Sequence, residues 1–136
     1  MPKVPPRVTR MLADDLTGLA LGGLDPVSYF TEAKPRAGLQ EIQLDWNGAT
    51  WRFVNEGNAA AFEMNPEVYA PRFAGRCAYQ VSRGFAAEGA PSNFVIIGDR
   101  LYLFANPAFR AAFLADTARM IAAAEAQWPA LAREQP

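Results

Sequence analysis

Apolar and polar residues alternate twice along this chain with a period of two, and each time a two-residue turn signal separates the runs. Residues 42–46 and 50–54, "IQLDW" and "TWRFV", flank Asn47-Gly48. They predict a β-hairpin with Ile42, Leu44 and Trp46 on one face of its first strand, and Trp51 and Phe53 on one face of its second. Residues 94–97 and 101–104 flank Gly98-Asp99 and predict a second hairpin. After each hairpin the spacing of apolar residues becomes helical. Asn55 is placed to cap a helix running to about Glu63, with Ala59 and Phe62 on its inner stripe; Asn65-Pro66 ends it and opens a short turn, "PEVYAP". Asn106 caps, and Pro107 opens, a long alanine-rich helix expected to run to about Gln127, where Trp128-Pro129 stops it. Phe109, Phe113, Met120, Ile121, Ala124 and Trp128 mark its inner face. Upstream, "LDPVSYF" offers Asp25 as an N-cap and Pro26 as the first residue of a short helix that turns Tyr29 and Phe30 inward. The fold class expected is α+β: a small antiparallel sheet from two hairpins, packed by short helices and one long C-terminal helix.

A chain of 136 residues fits one domain. Residues 1–21 read as an N-terminal arm, partly flexible, and extended where Pro2, Pro5 and Pro6 crowd together; residues 22–131 read as the domain and 132–136 as a tail. No internal repeat or low-complexity tract is visible. Hydrophobic residues make up 51% and charged residues 20%, which excludes a disordered chain. A formal net charge of −1 supplies no field that would gather nucleic acid or anionic lipid. No run approaches the roughly 18 apolar residues of a membrane span. Asp14 and Asp15 interrupt the early basic segment before "LTGLALGGL", so a secretory leader is not indicated. The expected location is cytoplasmic, or periplasmic if the native N-terminus is longer.

Histidine is absent and Cys77 is the only cysteine. These two facts remove Ser-His-Asp and Cys-His catalysis, imidazole metal sites, disulfides within the chain and closed zinc sites built from one chain. Neither a Walker-type phosphate loop nor a dinucleotide fingerprint occurs. What remains is Cys77 in "GRCAYQVSRG". If Gly84 ends a short helix over 77–83, Cys77 lies in its first turn beside Arg76, where amide groups and the helix dipole favour a thiolate. Cys77 and Val81, four apart, equally define a buried helical face, and free cysteine commonly behaves as a small core residue. Tyr29, Phe30, Trp51, Phe53, Tyr69, Phe73 and Tyr79 divide in the same way between pocket wall and core. Arg72, Arg76 and Arg83 are open to carboxylate binding or to solvation.

The blocks "GLDPVSYF", "WNGATWRFVNEGNAAAFEMNPEVYAPRFAG", "CAYQVSRG", "GDRLYLFANP" and "WPAL", in this order, resemble the YHS domain family, and more narrowly its bacterial stand-alone members. The resemblance covers about residues 22–131. It implies metal binding, copper or zinc, through cysteines in patterns such as DPVCGM and YHFCSxxCxxxF. Laid on this chain, the first cysteine falls on Ser28. The second pattern falls on Trp51 to Phe62, with its histidine on Arg52, its cysteines on Val54 and Asn58 and its serine on Asn55. Every soft ligand of the pattern is replaced, which leaves Cys77 as the one soft contact for a weakly held metal.

Three functions follow as expectations. The first is a non-enzymatic YHS-like domain that binds a small molecule, or weakly a metal ion, in a cleft near Cys77, with Tyr79, Tyr29 and Arg76 orienting the ligand. The second is a thiol-based redox enzyme or peroxide sensor in which Arg76 activates Cys77. The third is a structural module that forms a homo-oligomer or docks on a partner chain.

Overall fold

A computed structural model describes residues 9–135; the proline-bearing start of the expected arm lies outside the described residues. The elements follow in the order α1 (Ser28–Thr31), β1 (Leu39–Trp46), β2 (Ala49–Phe53), α2 (Glu56–Met64), α3 (Pro66–Tyr69), α4 (Ala78–Ser82), β3 (Ala90–Ile97), β4 (Arg100–Phe104), α5 (Pro107–Leu114) and α6 (Thr117–Arg133). A short 3-10 turn precedes α1 at Leu21–Gly23 and another precedes α4 at Arg72–Gly75. The fold is α+β, but the hairpins β1–β2 and β3–β4 form two separate two-stranded antiparallel sheets instead of one. Both predicted turns are present with positive φ at both central residues, Asn47 and Gly48 in one, Gly98 and Asp99 in the other, as a two-residue hairpin loop requires.

The chain from 20 to 69 and the chain from 72 to 120 are built alike. Each unit is a left-handed turn, a short helix, an eight-residue strand, a two-residue turn, a five-residue strand, an asparagine cap and a helix. From the first strand onward the counterparts stand 51 residues apart, Leu39 with Ala90 and Glu56 with Pro107. The backbone angles repeat as well. Leu21, Gly22 and Gly23 have φ of 57°, 61° and 90°; Phe73, Ala74 and Gly75 have 60°, 52° and 89°. Asn55 caps α2 at φ −156°, ψ 168°, and Asn106 caps α5 at φ −159°, ψ 168°. Asn65 after α2 lies at φ −146°, ψ 65°, and Asp116 after α5 at φ −151°, ψ 61°. The register irregularity between Leu39 and Gln43 recurs between Ala90 and Phe94. A side chain at Gly38 would collide with Arg52, and one at Gly89 with Leu103, the counterpart of Arg52. Asp25 N–H donates to the Arg36 carbonyl as Cys77 N–H donates to that of Ala87. The chain therefore contains an internal structural repeat that the sequence pattern conceals.

Each unit has its own core. The first gathers Leu21, Tyr29, Trp51, Phe53 and Phe62; the second gathers Phe73, Val81, Tyr102, Phe104 and Phe113, their counterparts one for one. The β3–β4 hairpin stands between the two. Leu101, Leu103, Phe94 and Ile96 face the first core, while Tyr102, Phe104, Val95 and Ile97 face the second, a direct result of side-chain alternation along a strand. The corresponding outer face of β1–β2 is polar: Thr50 Oγ1 donates to Asp45 Oδ1 at 2.7 Å and Arg52 Nε to Gln43 Oε1 at 3.3 Å. Helix α6 closes the second core with Met120, Ile121, Ala124, Trp128 and Leu131.

Two expectations need correction. The single helix expected from Pro107 to Gln127 is two helices, because the chain leaves helical geometry at Asp116 as it does at Asn65. Pro129 does not end α6, which runs on to Arg133 with the proline inside it. Upstream of α1, Met11, Ala20 and Leu21 belong to the first core.

Candidate functional site

Asp25 is fully buried, and its carboxylate ties three elements together. Oδ1 accepts from the N–H groups of Val27 at 2.7 Å and Ser28 at 3.3 Å in the turn that leads into α1, whose N-cap is Val27 and not Asp25 as expected. Oδ2 accepts from Val54 N–H and from Asn58 Nδ2, both at 2.8 Å. Ser28 Oγ donates to the Asp25 carbonyl at 2.7 Å and accepts from Arg36 N–H at 2.8 Å. Positions 28, 54 and 58, widely separated in the chain, thus converge on one carboxylate. The donor set does not suit copper or zinc. Its polar atoms are amide or hydroxyl groups already engaged in hydrogen bonds, position 54 contributes only its N–H, and among the described residues no group of three His, Cys, Asp or Glu could hold a metal ion.

Cys77 is the second unit's counterpart of Asp25 and occupies the N-cap position of α4, not its first turn. Its side chain is 0% exposed among Phe73, Ala78, Val81 and Phe104. Of the two placements left open by the sequence, Cys77 takes the buried one, where no ligand or peroxide reaches the sulfur while the core is closed. Of the other expected site residues, Tyr79 packs against the same core as Cys77 and Tyr29 belongs to the other one. Tyr29 is buried in the first core, donates to the Pro91 carbonyl at 2.7 Å, and has its phenol pKa raised by burial. Tyr79 stacks on Phe109 with centroids 5.0 Å apart, and Arg83 donates to its hydroxyl at 3.2 Å. Arg76 is buried and donates from Nη1 to the carbonyls of Arg10 at 2.9 Å and Ala74 at 3.1 Å. Burial pulls its pKa down, partly offset by the charge of Glu88. Its role is to hold the second left-handed turn against the N-terminal segment.

Both left-handed turns border a cavity. Leu21 and Gly22 line one of about 200 Å³, whose walls are chiefly Met11, Leu12, Leu19 and Leu103 and whose rim carries Asp14 and Glu88. Arg72, Phe73 and Ala74 line a groove of about 330 Å³ completed by Trp46 and Asn47 at the end of β1, Glu67 on α3, Trp128 and Ala132 on α6, and Thr9. The groove is braced by hydrogen bonds from Asn47 Nδ2 to the Thr9 carbonyl at 2.9 Å, from Met11 N–H to the Asn47 carbonyl at 2.9 Å and from Leu12 N–H to the Ala74 carbonyl at 2.9 Å. Phe73 meets Trp128 edge to face at 5.7 Å. Positive φ at Phe73 and Ala74 costs roughly 1–3 kcal/mol per residue, strain of the kind that persists where surrounding structure over-determines a turn and that clusters at binding sites.

Arg72 brings a positive charge to this groove, beside Thr9, Asn47 and Glu67. Among the described residues its Nε is buried without a hydrogen-bond partner, its Nη2 lies 3.8 Å from Glu125 Oε1, and its guanidinium carbon sits 5.7 Å from the centre of the Phe73 ring. Sequence reading had Arg72 and Phe73 among many candidates but not Trp46, Glu67 or Trp128. The walls come from positions as far apart as 46 and 128, so no local motif announces them. No protein-family model, curated protein or solved structure matches the chain. Among the described residues, no helix is long and apolar enough to cross a membrane.

Proposed function

We propose that this protein is a non-enzymatic, YHS-like domain that binds a small organic molecule in the groove between Trp46, the 71–74 turn and Trp128. The observation that carries the reading is the groove itself, a braced concavity walled by Trp46, Phe73 and Trp128 and bordered by Arg72, whose ion pair with Glu125 is long. The family reading is supported by the convergence of positions 28, 54 and 58 on Asp25, since these are the positions to which the resemblance assigns ligands. It is supported again by the second unit, where Tyr102, Phe104 and Phe113 repeat the aromatic spacing of the pattern that falls on Trp51, Phe53 and Phe62. Hydrogen bonds have taken the place of metal coordination in this reading, and the binding function has moved to the groove. Burial of Cys77 argues against the thiol-based alternative.

A fragment screen followed by ¹H–¹⁵N spectra tests the proposal. Binders are expected to shift the indole N–H signals of Trp46 and Trp128 and to leave that of the buried Trp51 in place. Binders that act only elsewhere, or saturable zinc or copper uptake at the Asp25 locus, would sink it.

A further inference from the structure

The repeat makes a comparison of the two left-handed turns possible. The residue that begins the second turn is Arg72, on the groove, and its counterpart in the first is Ala20, which is fully buried and lines no part of the first cavity. The fold therefore does not require an arginine at this position. Among the described residues Arg72 moreover has no close ion pair. Glu125 approaches one terminal nitrogen only at 3.8 Å, Tyr102 is a further neighbour and the Nε is enclosed, so a ligand would meet the guanidinium end-on at its terminal nitrogens. Both Arg72 and Glu125 are substantially solvent-exposed, at 35% and 50% of their side-chain surface, so this long contact is weak and readily displaced. Beside it stand Trp46, Phe73 and Trp128, which suit an apolar body. Glu67 on the same wall disfavours a second anionic group.

Resting on the binding role proposed above, we infer that the groove's ligand is a small monocarboxylate with an aromatic or branched apolar body, its carboxylate held by the Arg72 guanidinium in place of Glu125. Recognition is by charge-assisted hydrogen bonds to a planar fork, so a neutral isostere of the same shape is discriminated against.

The experiment compares matched acid and amide pairs, phenylacetate with phenylacetamide, indole-3-acetate with its amide and hexanoate with hexanamide, by ¹H–¹⁵N titration of the full chain. At least one acid is expected to bind ten-fold or more tightly than its amide. Arg72→Gln should abolish that difference, Arg72→Lys should retain part of it, and Glu125→Gln should tighten the acid by removing its competitor. Retention of the native spectrum and melting temperature in each variant separates lost recognition from lost fold. Equal affinity for acids and amides, or undiminished discrimination in Arg72→Gln, overturns the carboxylate assignment and leaves the groove as a binding site. Failure of every acid and amide to shift the Trp46 and Trp128 signals overturns both.

Discussion

The two units share a backbone and differ in what they place at its centre. At the node where the short helix meets the hairpin and the following helix, the first unit has Asp25 with Asn58 and Ser28 around it, and the second has Cys77 with Phe109 and Gln80 at the matching positions. One node is a buried carboxylate satisfied by four N–H donors; the other is an apolar plug. At the left-handed turn the contrast reverses, with Ala20 in the first unit and Arg72 in the second. The same backbone thus tolerates a polar or an apolar solution at either place, provided each buried polar atom finds its partners. Among the described residues the exception is Arg72 Nε, which is buried without a hydrogen-bond partner.

This comparison can be broken or sharpened by substitution. The largest effect is expected from Phe62→Ala and Phe113→Ala, counterparts that are 1% and 0% exposed at the centres of the two cores. Each should cost about 3–5 kcal/mol, and similar losses in chemical denaturation are the signature of equivalent cores. A loss several-fold larger in one than in the other would refute that equivalence. Asp25→Ala should cost roughly 3 kcal/mol, because it strands the N–H groups of Val27, Ser28 and Val54 and the Asn58 amide away from water. Cys77→Ser, the matching change in the second unit, should cost only about 1–2 kcal/mol for a hydroxyl placed in an apolar setting. In the unaltered protein Cys77 should react with a disulfide reagent only at the rate at which the core opens; fast reaction under native conditions would contradict its burial.

The smallest effect at neutral pH is expected from Tyr29→Phe, which removes one hydrogen bond to Pro91, about 1 kcal/mol. Its value lies at high pH. Burial raises the Tyr29 pKa, so the folded state keeps a proton that the unfolded chain releases above about pH 10. The stabilisation from this group is therefore complete below that pH and declines as pH rises above it. Tyr102, also raised by burial, acts in the same direction. Denaturation curves at pH 8 and above should show the wild type losing stability with alkalinity and Tyr29→Phe losing less; parallel slopes would refute the assignment.

Much of the fold was legible in the sequence because it rests on local chemistry. Asn47-Gly48 and Gly98-Asp99 fit their turns, Asn55 and Asn106 accept from the N–H three residues on at 2.7 and 2.8 Å, and Asp25 accepts from the N–H groups that lead into α1. The break at Asp116 was not legible, since its alanine-rich surroundings carry no proline or glycine to mark it. Nor were the left-handed turns: leucine, phenylalanine and alanine rarely adopt positive φ, and only tertiary contacts hold them there. The repeat stayed hidden because its equivalence lies in backbone angles and hydrogen bonds, while identity survives at a few positions such as Gly38 and Gly89, Asn55 and Asn106, and Phe62 and Phe113. The groove needed Trp46 and Trp128 to be brought together, which no local pattern specifies.

The β3–β4 hairpin has one further consequence. Because its two faces complete two different cores, neither core can lose its side of the hairpin without exposing the other. Duplicated chains often melt in stages, one module after another, but here the shared wall couples the halves into a single thermodynamic unit. Heat or denaturant should reveal one transition by every probe, and the last amides to exchange with deuterium should be those of residues 94–97 and 101–104.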